Sequence, residues 1–135
     1  MKLDANAYKY FKGALGLIAN GEYEPIITIG HAQYHRVTGA IAIASTLAPG
    51  VPWQLESIRI HLSAVGAAGD LTATLDHGAD LVYDVVILTQ DMTAVTDFIQ
   101  HYERPMEFEA NDELDIVWAN ASTRTYGLEI VWKAR

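Results

Sequence analysis

The chain contains no cysteine, which excludes disulfide staples, thiolate metal sites and thiol nucleophiles together. Long apolar runs are also missing. The apolar stretch nearest the N-terminus, Ala14 to Ala19, is interrupted by Gly16 and followed by Asn20-Gly21-Glu22. It is far too short to cross a bilayer and lacks the unbroken apolar region of a signal peptide, so a soluble protein made in the cytoplasm, without a membrane partner, is expected. Basic residues are scarce: 9 Lys and Arg stand against 17 Asp and Glu, for a formal charge of −8. With no basic stripe carrying interleaved aromatics, an acidic surface repels phosphate backbones, and nucleic acid is not an expected partner. The few serines, Ser45, Ser57, Ser63 and Ser122, lie in no nucleophile elbow, and no glycine-rich phosphate loop is present.

At 135 residues the chain has the size of one domain, long enough to bury a core without a metal or a disulfide. Its charge is uneven. Residues 1–36 carry four bases against three acids, while residues 37–101 set Arg59 alone against seven acids. By pattern the chain divides into an N-terminal arm, residues 1–24, and a body, residues 25–135. The arm holds Tyr8, Tyr10, Phe11 and Tyr23 among Gly13, Gly16 and Gly21, with no sustained period. A short helix over Ala5 to Leu17 is weakened by two of those glycines. Aromatics in an unpatterned terminus either fold back over their own sheet or dock on a neighbour, and Tyr8, Tyr10 and Phe11 are the candidate partner-binding residues.

The body is a train of period-2 segments broken by turn residues, the mark of strands with one buried and one wet face. Ile26 to Ile29 reads as a short strand. Gln33 to Ala44 reads as one longer strand, with Val37, Gly39, Ile41 and Ile43 on a shared face. Trp53 to Ser63 points Ile58, Ile60 and Leu62 one way and Ser57, Arg59 and His61 the other. Leu71, Ala73 and Leu75 form the inner face of the next strand, ended by the turn residues Asp76-His77-Gly78. Leu81 to Thr89 is apolar on both faces except Asp84, as expected of a central strand covered on both sides. Asp97 to Tyr102 and Pro105 to Phe108 read as two short segments, the second confined by its proline to a strand start or an edge. Leu114, Ile116 and Trp118, then Tyr126, Leu128, Ile130 and Trp132, define two closing strands. About eight antiparallel strands and no helix in the body predict an all-β fold, an antiparallel jelly-roll β-sandwich, with an immunoglobulin-like sandwich second.

Few residues suggest chemistry. His31 and His35 have the spacing of a helical metal pair, but in a strand residues four apart are roughly 13 Å apart. Asp76 to Asp80 lacks the acid spacing of a calcium loop, and turn chemistry explains it. Asp112, Glu113 and Asp115 read as a solvated outer face. Trp53, Trp118 and Trp132 fall at strand positions expected to face the core. If they lined an outer face instead, they would form a platform for sugars, and a carbohydrate-binding module for host attachment is the alternative reading. Metal-dependent cupins share the jelly-roll architecture but need a His-x-His pair, which this chain lacks. Neither a metal nor a cofactor is expected.

Three stretches carry a family resemblance: Trp53 to Ser63 (WQLESIRIHLS), Asp70 to Asp76 (DLTATLD) with Tyr83 to Val86, and Asp112 to Trp132, containing DELDIVWAN and RTYGLEIVW. Together they resemble the jelly-roll cement or decoration proteins on the capsids of tailed bacteriophages, over roughly residues 50–133. The likeness is one of pattern, without a diagnostic motif. It implies a non-enzymatic virion protein, made in the host cytoplasm and placed on the capsid exterior. There it would bridge subunits of the major capsid protein, as a dimer or trimer.

Overall fold

The computed structural model describes residues 29–78 and 84–135. Eight strands follow in order: β1 (Ala32–Gly39), β2 (Ile43–Leu47), β3 (Trp53–Leu62), β4 (Asp70–Asp76), β5 (Val85–Asp91), β6 (Asp97–Phe108), β7 (Glu113–Trp118) and β8 (Tyr126–Ala134). Their pairing is that of one long hairpin. β4 pairs with β5, β3 with β6, β2 with β7 and β1 with β8, all antiparallel. The hairpin is then rolled, so that β8 also meets β3 and β7 also meets β4. Two four-stranded sheets result, β1-β8-β3-β6 and β2-β7-β4-β5. This is the jelly-roll sandwich that the alternation predicts.

The inward positions make one continuous core. Ile58, Ile60 and Leu62 from β3, Leu71 and Ala73 from β4, Leu114, Ile116 and Trp118 from β7, and Tyr126, Leu128, Ile130 and Trp132 from β8 are buried together. At one end Trp53 stacks on Phe108, with ring centroids 4.1 Å apart, and meets the edge of Trp132 at 6.0 Å. Each large side chain so buried contributes about 1.5–3 kcal/mol relative to exposure, and three aromatics packed offset and edge-on add to that.

The chain differs from its sequence reading where tertiary context overrides a local pattern. Gln33 to Ala44 is two strands in different sheets, because the chain crosses between layers at residues 40–42. Ile41 lies in that crossing and is 75% exposed, not on the face of Val37 and Ile43. The apolar run before Thr89 leads into β5, an edge strand and not a covered central one. Val85 and Val86 are each 53% exposed, and the part of the run at residues 81–83 lies outside the described residues. The two segments around Pro105 are one strand, β6, whose register against β3 jumps between Leu55 and Ser57. Residues 102–105 are bulged out there. A proline has no N–H to offer a ladder, and β6 is indeed an edge strand. Of Ile26 to Ile29 only Ile29 is described, in an isolated bridge to Ala134.

Loops at one end are locked by two residues. Asn120, 2% exposed and at φ 46°, donates through Nδ2 to the carbonyls of Ile41 (3.0 Å) and Arg124 (2.8 Å) and accepts from Arg124 N (2.9 Å). It ties the β1–β2 crossing to the β7–β8 loop. Gly66 ties the β3–β4 and β5–β6 loops, and a Cβ there would lie 2.5 Å from the Met92 carbonyl oxygen. Asn120→Ala strands buried polar groups and is expected to lower unfolding free energy by about 2–4 kcal/mol. Gly66→Ala forces the backbone apart and should cost about 1–3 kcal/mol. Asn111→Ala, at an exposed turn position, should stay within about 0.5 kcal/mol. Denaturant midpoints measure all three, and an Asn120→Ala midpoint as close to wild type as Asn111→Ala would contradict the locking role.

Candidate functional site

Because the inward positions are filled by packed apolar side chains, the surfaces free to act are the two outer sheet faces and the loop ends. The faces differ in chemistry. On β1-β8-β3-β6, Arg36, Glu129, Arg59 and Ile99 form one cross-strand row, and Thr38, Gly127, His61 and Asp97 form the next. Glu129 is clasped by two guanidinium groups. Arg36 Nε donates to its Oε2 at 2.6 Å and Arg59 Nη2 donates to its Oε1. Arg36 also lies over the Tyr34 ring, 4.6 Å from its centroid. His61 Nδ1 and Asp97 Oδ1 are 2.5 Å apart, and Lys133 pairs with Glu56 at 3.3 Å. The charges of this face are therefore largely spent on each other, each pair adding at most about 1 kcal/mol at such exposure.

The opposite face, on β2-β7-β4-β5, has the rows Ala44, Val117, Thr72, Thr89 and Thr46, Asp115, Thr74, Val86. Among these eight positions only Asp115 is ionisable, and it accepts a hydrogen bond from Thr46 Oγ1 at 2.5 Å. Val117 and Val86 are half exposed. Further along the same strands Asp70 stands opposite Asp91 and Asp76 opposite Glu113, so this face is acidic towards its ends, and no Lys or Arg lies among its paired strand positions.

A shallow cleft of about 300 Å³ opens on the charged face, with Gly127 as its floor and Arg59, His61, Asp97, Ile99 and Glu129 around it. Ile99 is 64% exposed at its rim. No nucleophile stands beside a base in this cleft, and its polar groups are already paired.

Asp112, Asp91 and Tyr102 lie outside that cleft. Asp112, expected on a solvated face, is buried. Its carboxylate accepts from Glu109 N at 2.8 Å and meets His77 Nδ1 at 2.6 Å, and its carbonyl accepts from Trp53 Nε1 at 3.4 Å. A turn that must close β6 onto β7 uses the acid as an internal partner, which burial made invisible to a pattern reading. Thr93 donates to Asp91 through both Oγ1 (2.6 Å) and N (2.9 Å), which holds that carboxyl below the ordinary aspartate range. Burial pushes the Tyr102 hydroxyl above its usual value.

His31 and His35 have different surroundings. His31 is exposed ahead of β1, whereas His35 Nε2 is 2.8 Å from Ser45 Oγ on β2, a polar stitch between the two sheets. Among the described residues no three His, Asp or Glu side chains group as metal ligands. All three tryptophans are core residues, at 0%, 1% and 7% exposure, so none forms a sugar platform. Tyr8, Tyr10 and Phe11 lie outside the described residues.

No protein-family description matches the sequence, and no curated protein does. The chain is similar in structure to the infectious bursal disease virus Gx strain (TM-score 0.36, 13% identity) and to the VP2 subviral particle of infectious bursal disease virus (TM-score 0.33, 14% identity). In both cases 90% of this chain is covered, and it spans 37% of the other. A third likeness is to the virus-like particle of the extra small virus of the giant freshwater prawn Macrobrachium rosenbergii (TM-score 0.30, 12% identity), covering 83% of this chain and 85% of that one. None of these three is a tailed-phage decoration protein, and likenesses this distant define no family for the chain.

Burial of the His35 ring disfavours its charged form and lowers its pKa below 6.5. The unfolded chain then binds the proton more readily than the folded one. The stitch therefore contributes fully above pH 6.5 and is lost as pH falls through the lowered folded value. Unfolding midpoints between about pH 8 and pH 5 should fall on the acid side, and His35→Gln should flatten that slope. An unchanged slope in the variant would show that His35 is not the group responsible.

Proposed function

We propose that the protein is a non-enzymatic structural component of a virion that acts by protein–protein contact. The observation that carries this reading is the filled interior. A jelly roll whose inward positions are occupied by Trp53, Phe108, Met92, Trp118 and aliphatic side chains leaves no lumen for a ligand, and its work falls to its outer surface. That surface presents large apolar side chains at Tyr34, Ile41, Ile99 and Val117, each at least half exposed, on an otherwise acidic molecule. Burying such groups across an interface is the usual source of association energy.

In its finer form the proposal makes the protein a capsid cement or decoration protein. It would sit on the capsid exterior as a dimer or trimer and join neighbouring major capsid subunits. The sequence resemblance over residues 50–133 supports that form, and Tyr8, Tyr10 and Phe11 of the arm are the proposed anchors. The carbohydrate-binding alternative is not favoured, since its stacking platform would need tryptophans that are here in the core.

The test is co-sedimentation with shells of the major capsid protein, using the full chain and a chain lacking residues 1–24. The truncated protein should melt within about 4 °C of the full chain, a change of order 1 kcal/mol for a domain this size. Its shell affinity should fall at least about tenfold, or 1.4 kcal/mol. Full-strength binding after truncation would remove the arm from the proposal, and no binding by either chain would remove the cement role.

A further inference from the structure

The two sheets end on four edge strands, β1 and β6 in one and β2 and β5 in the other. An edge strand presents unpaired N–H and C=O groups, and proteins blunt such edges by shortness, bulges, proline or charge. Three of the four are blunted here. β2 has 5 residues. β5 shifts register against β4 between Ala73 and Thr74. β6 carries Pro105, a register shift against β3, and the acids Asp97, Glu103 and Glu107. β1 has neither a proline, a register shift nor an acid. Its 8 residues, AQYHRVTG, pair with β8 without a break from Ala32 to Gly39, and among the described residues no strand lies on its other side.

Charge selects what can lie there. Two copies of a chain of charge −8 repel one another over most of their surface. β1 contains no Asp or Glu, and its one formal charge, Arg36, is neutralised by Glu129 of β8. The strand is also complementary to itself. Laid antiparallel to a second β1 with His35 on the two-fold axis, Tyr34 stands opposite Arg36 of the second copy, Gln33 opposite Val37 and Ala32 opposite Thr38, each pair occurring twice. No like charges face each other. Tyr34 is 53% exposed, and the Arg36 guanidinium already lies 4.6 Å from the centroid of that ring within one chain. The symmetric register repeats this cation–π attraction between copies. His35 meets its counterpart on the axis with its Nε2 held 2.8 Å from Ser45 Oγ, and burial of the ring favours its neutral form.

The backbone permits this register. Successive residues of an antiparallel edge turn their N–H and C=O groups alternately towards the sheet and away from it. A two-fold axis through a residue sets odd positions opposite odd and even opposite even, so the free groups of the two copies meet whichever set points outward. Pairing from Ala32 to Thr38 then exchanges roughly six to eight main-chain hydrogen bonds. The two β1-β8-β3-β6 sheets become one continuous sheet.

We propose that β1 is a self-association edge, on which a second copy of this chain adds its own β1 antiparallel about His35. This dimer is one form of the oligomer in the proposed virion role. In sedimentation velocity of the full chain the dimer fraction should rise with concentration. Substitution at Tyr34 separates this interface from any other. Tyr34→Lys sets two like-charge pairs against Arg36 across the axis and should weaken the dimer at least about tenfold, or 1.4 kcal/mol. Tyr34→Glu sets two opposite-charge pairs there and should keep the dimer within about threefold of wild type. An interface elsewhere on a chain of charge −8 gives the opposite order, because an added base lessens the general repulsion and an added acid increases it. The absence of cysteine allows the register to be read as well. When Tyr34→Cys and Arg36→Cys chains are mixed under mild oxidation, the mixed disulfide should exceed the two homodisulfides together, as resolved by mass spectrometry, and this readout does not depend on either charged variant folding. A strict monomer at every concentration, a Tyr34→Lys dimer as strong as that of Tyr34→Glu, or homodisulfides in excess each overturns the proposal, the first by leaving the edge to a strand of a different protein. The measurements use free protein, so they succeed or fail independently of shell binding.

Discussion

The register of β8 is the constraint on which the rest depends. β8 lies between β1 and β3 and is hydrogen-bonded to both. Its even residues, Tyr126, Leu128, Ile130 and Trp132, fill the core, while Gly127, Glu129, Val131 and Lys133 face outward. A slip of one residue against either neighbour would drive Glu129 into the core and carry Trp132 into water. Because both neighbours enforce one register, Glu129 is held between Arg36 and Arg59, and Gly127 is placed where its missing side chain opens a cleft. The charged face and the core are two sides of the same alternation.

The parts of the fold legible in the sequence are those where period 2 runs unbroken. β3, β7 and β8 announce themselves, and their inward residues are the ones buried. Where the pattern continues through a change of layer it misleads. From Val37 to Ile43 the alternation persists, but the chain passes between sheets at residues 40–42, and only the loop ties through Asn120 reveal it. The bulge in β3 had a visible signal in the shift from Trp53 and Leu55 to Ile58, Ile60 and Leu62. An apolar run such as the one before Thr89 carries no mark of whether an edge or a centre awaits it.

Sites were less legible than strands. Asp112 and Asn120 are polar residues in turn sequences, and their burial arises from elements far away in the chain: His77 and Trp53 for one, Ile41 for the other. Gly127 was readable as an isolated glycine within a strand pattern, a known sign of close approach, but its neighbours Arg59, His61 and Ile99 come from two other strands. The expected partner residues Tyr8, Tyr10 and Phe11 were found by composition, and their role rests on proposal.

The proposed role is action by protein contact through the outer surface of a sandwich with a packed core. The direct measurement of that claim is hydrogen exchange on the protein bound to assembled shells, compared with the free chain. The account predicts gained protection confined to the arm, residues 1–24, and to strands of an outer face, with core strands β3 and β8 already protected in both states. Unchanged exchange at the arm and both faces in the presence of shells would contradict it.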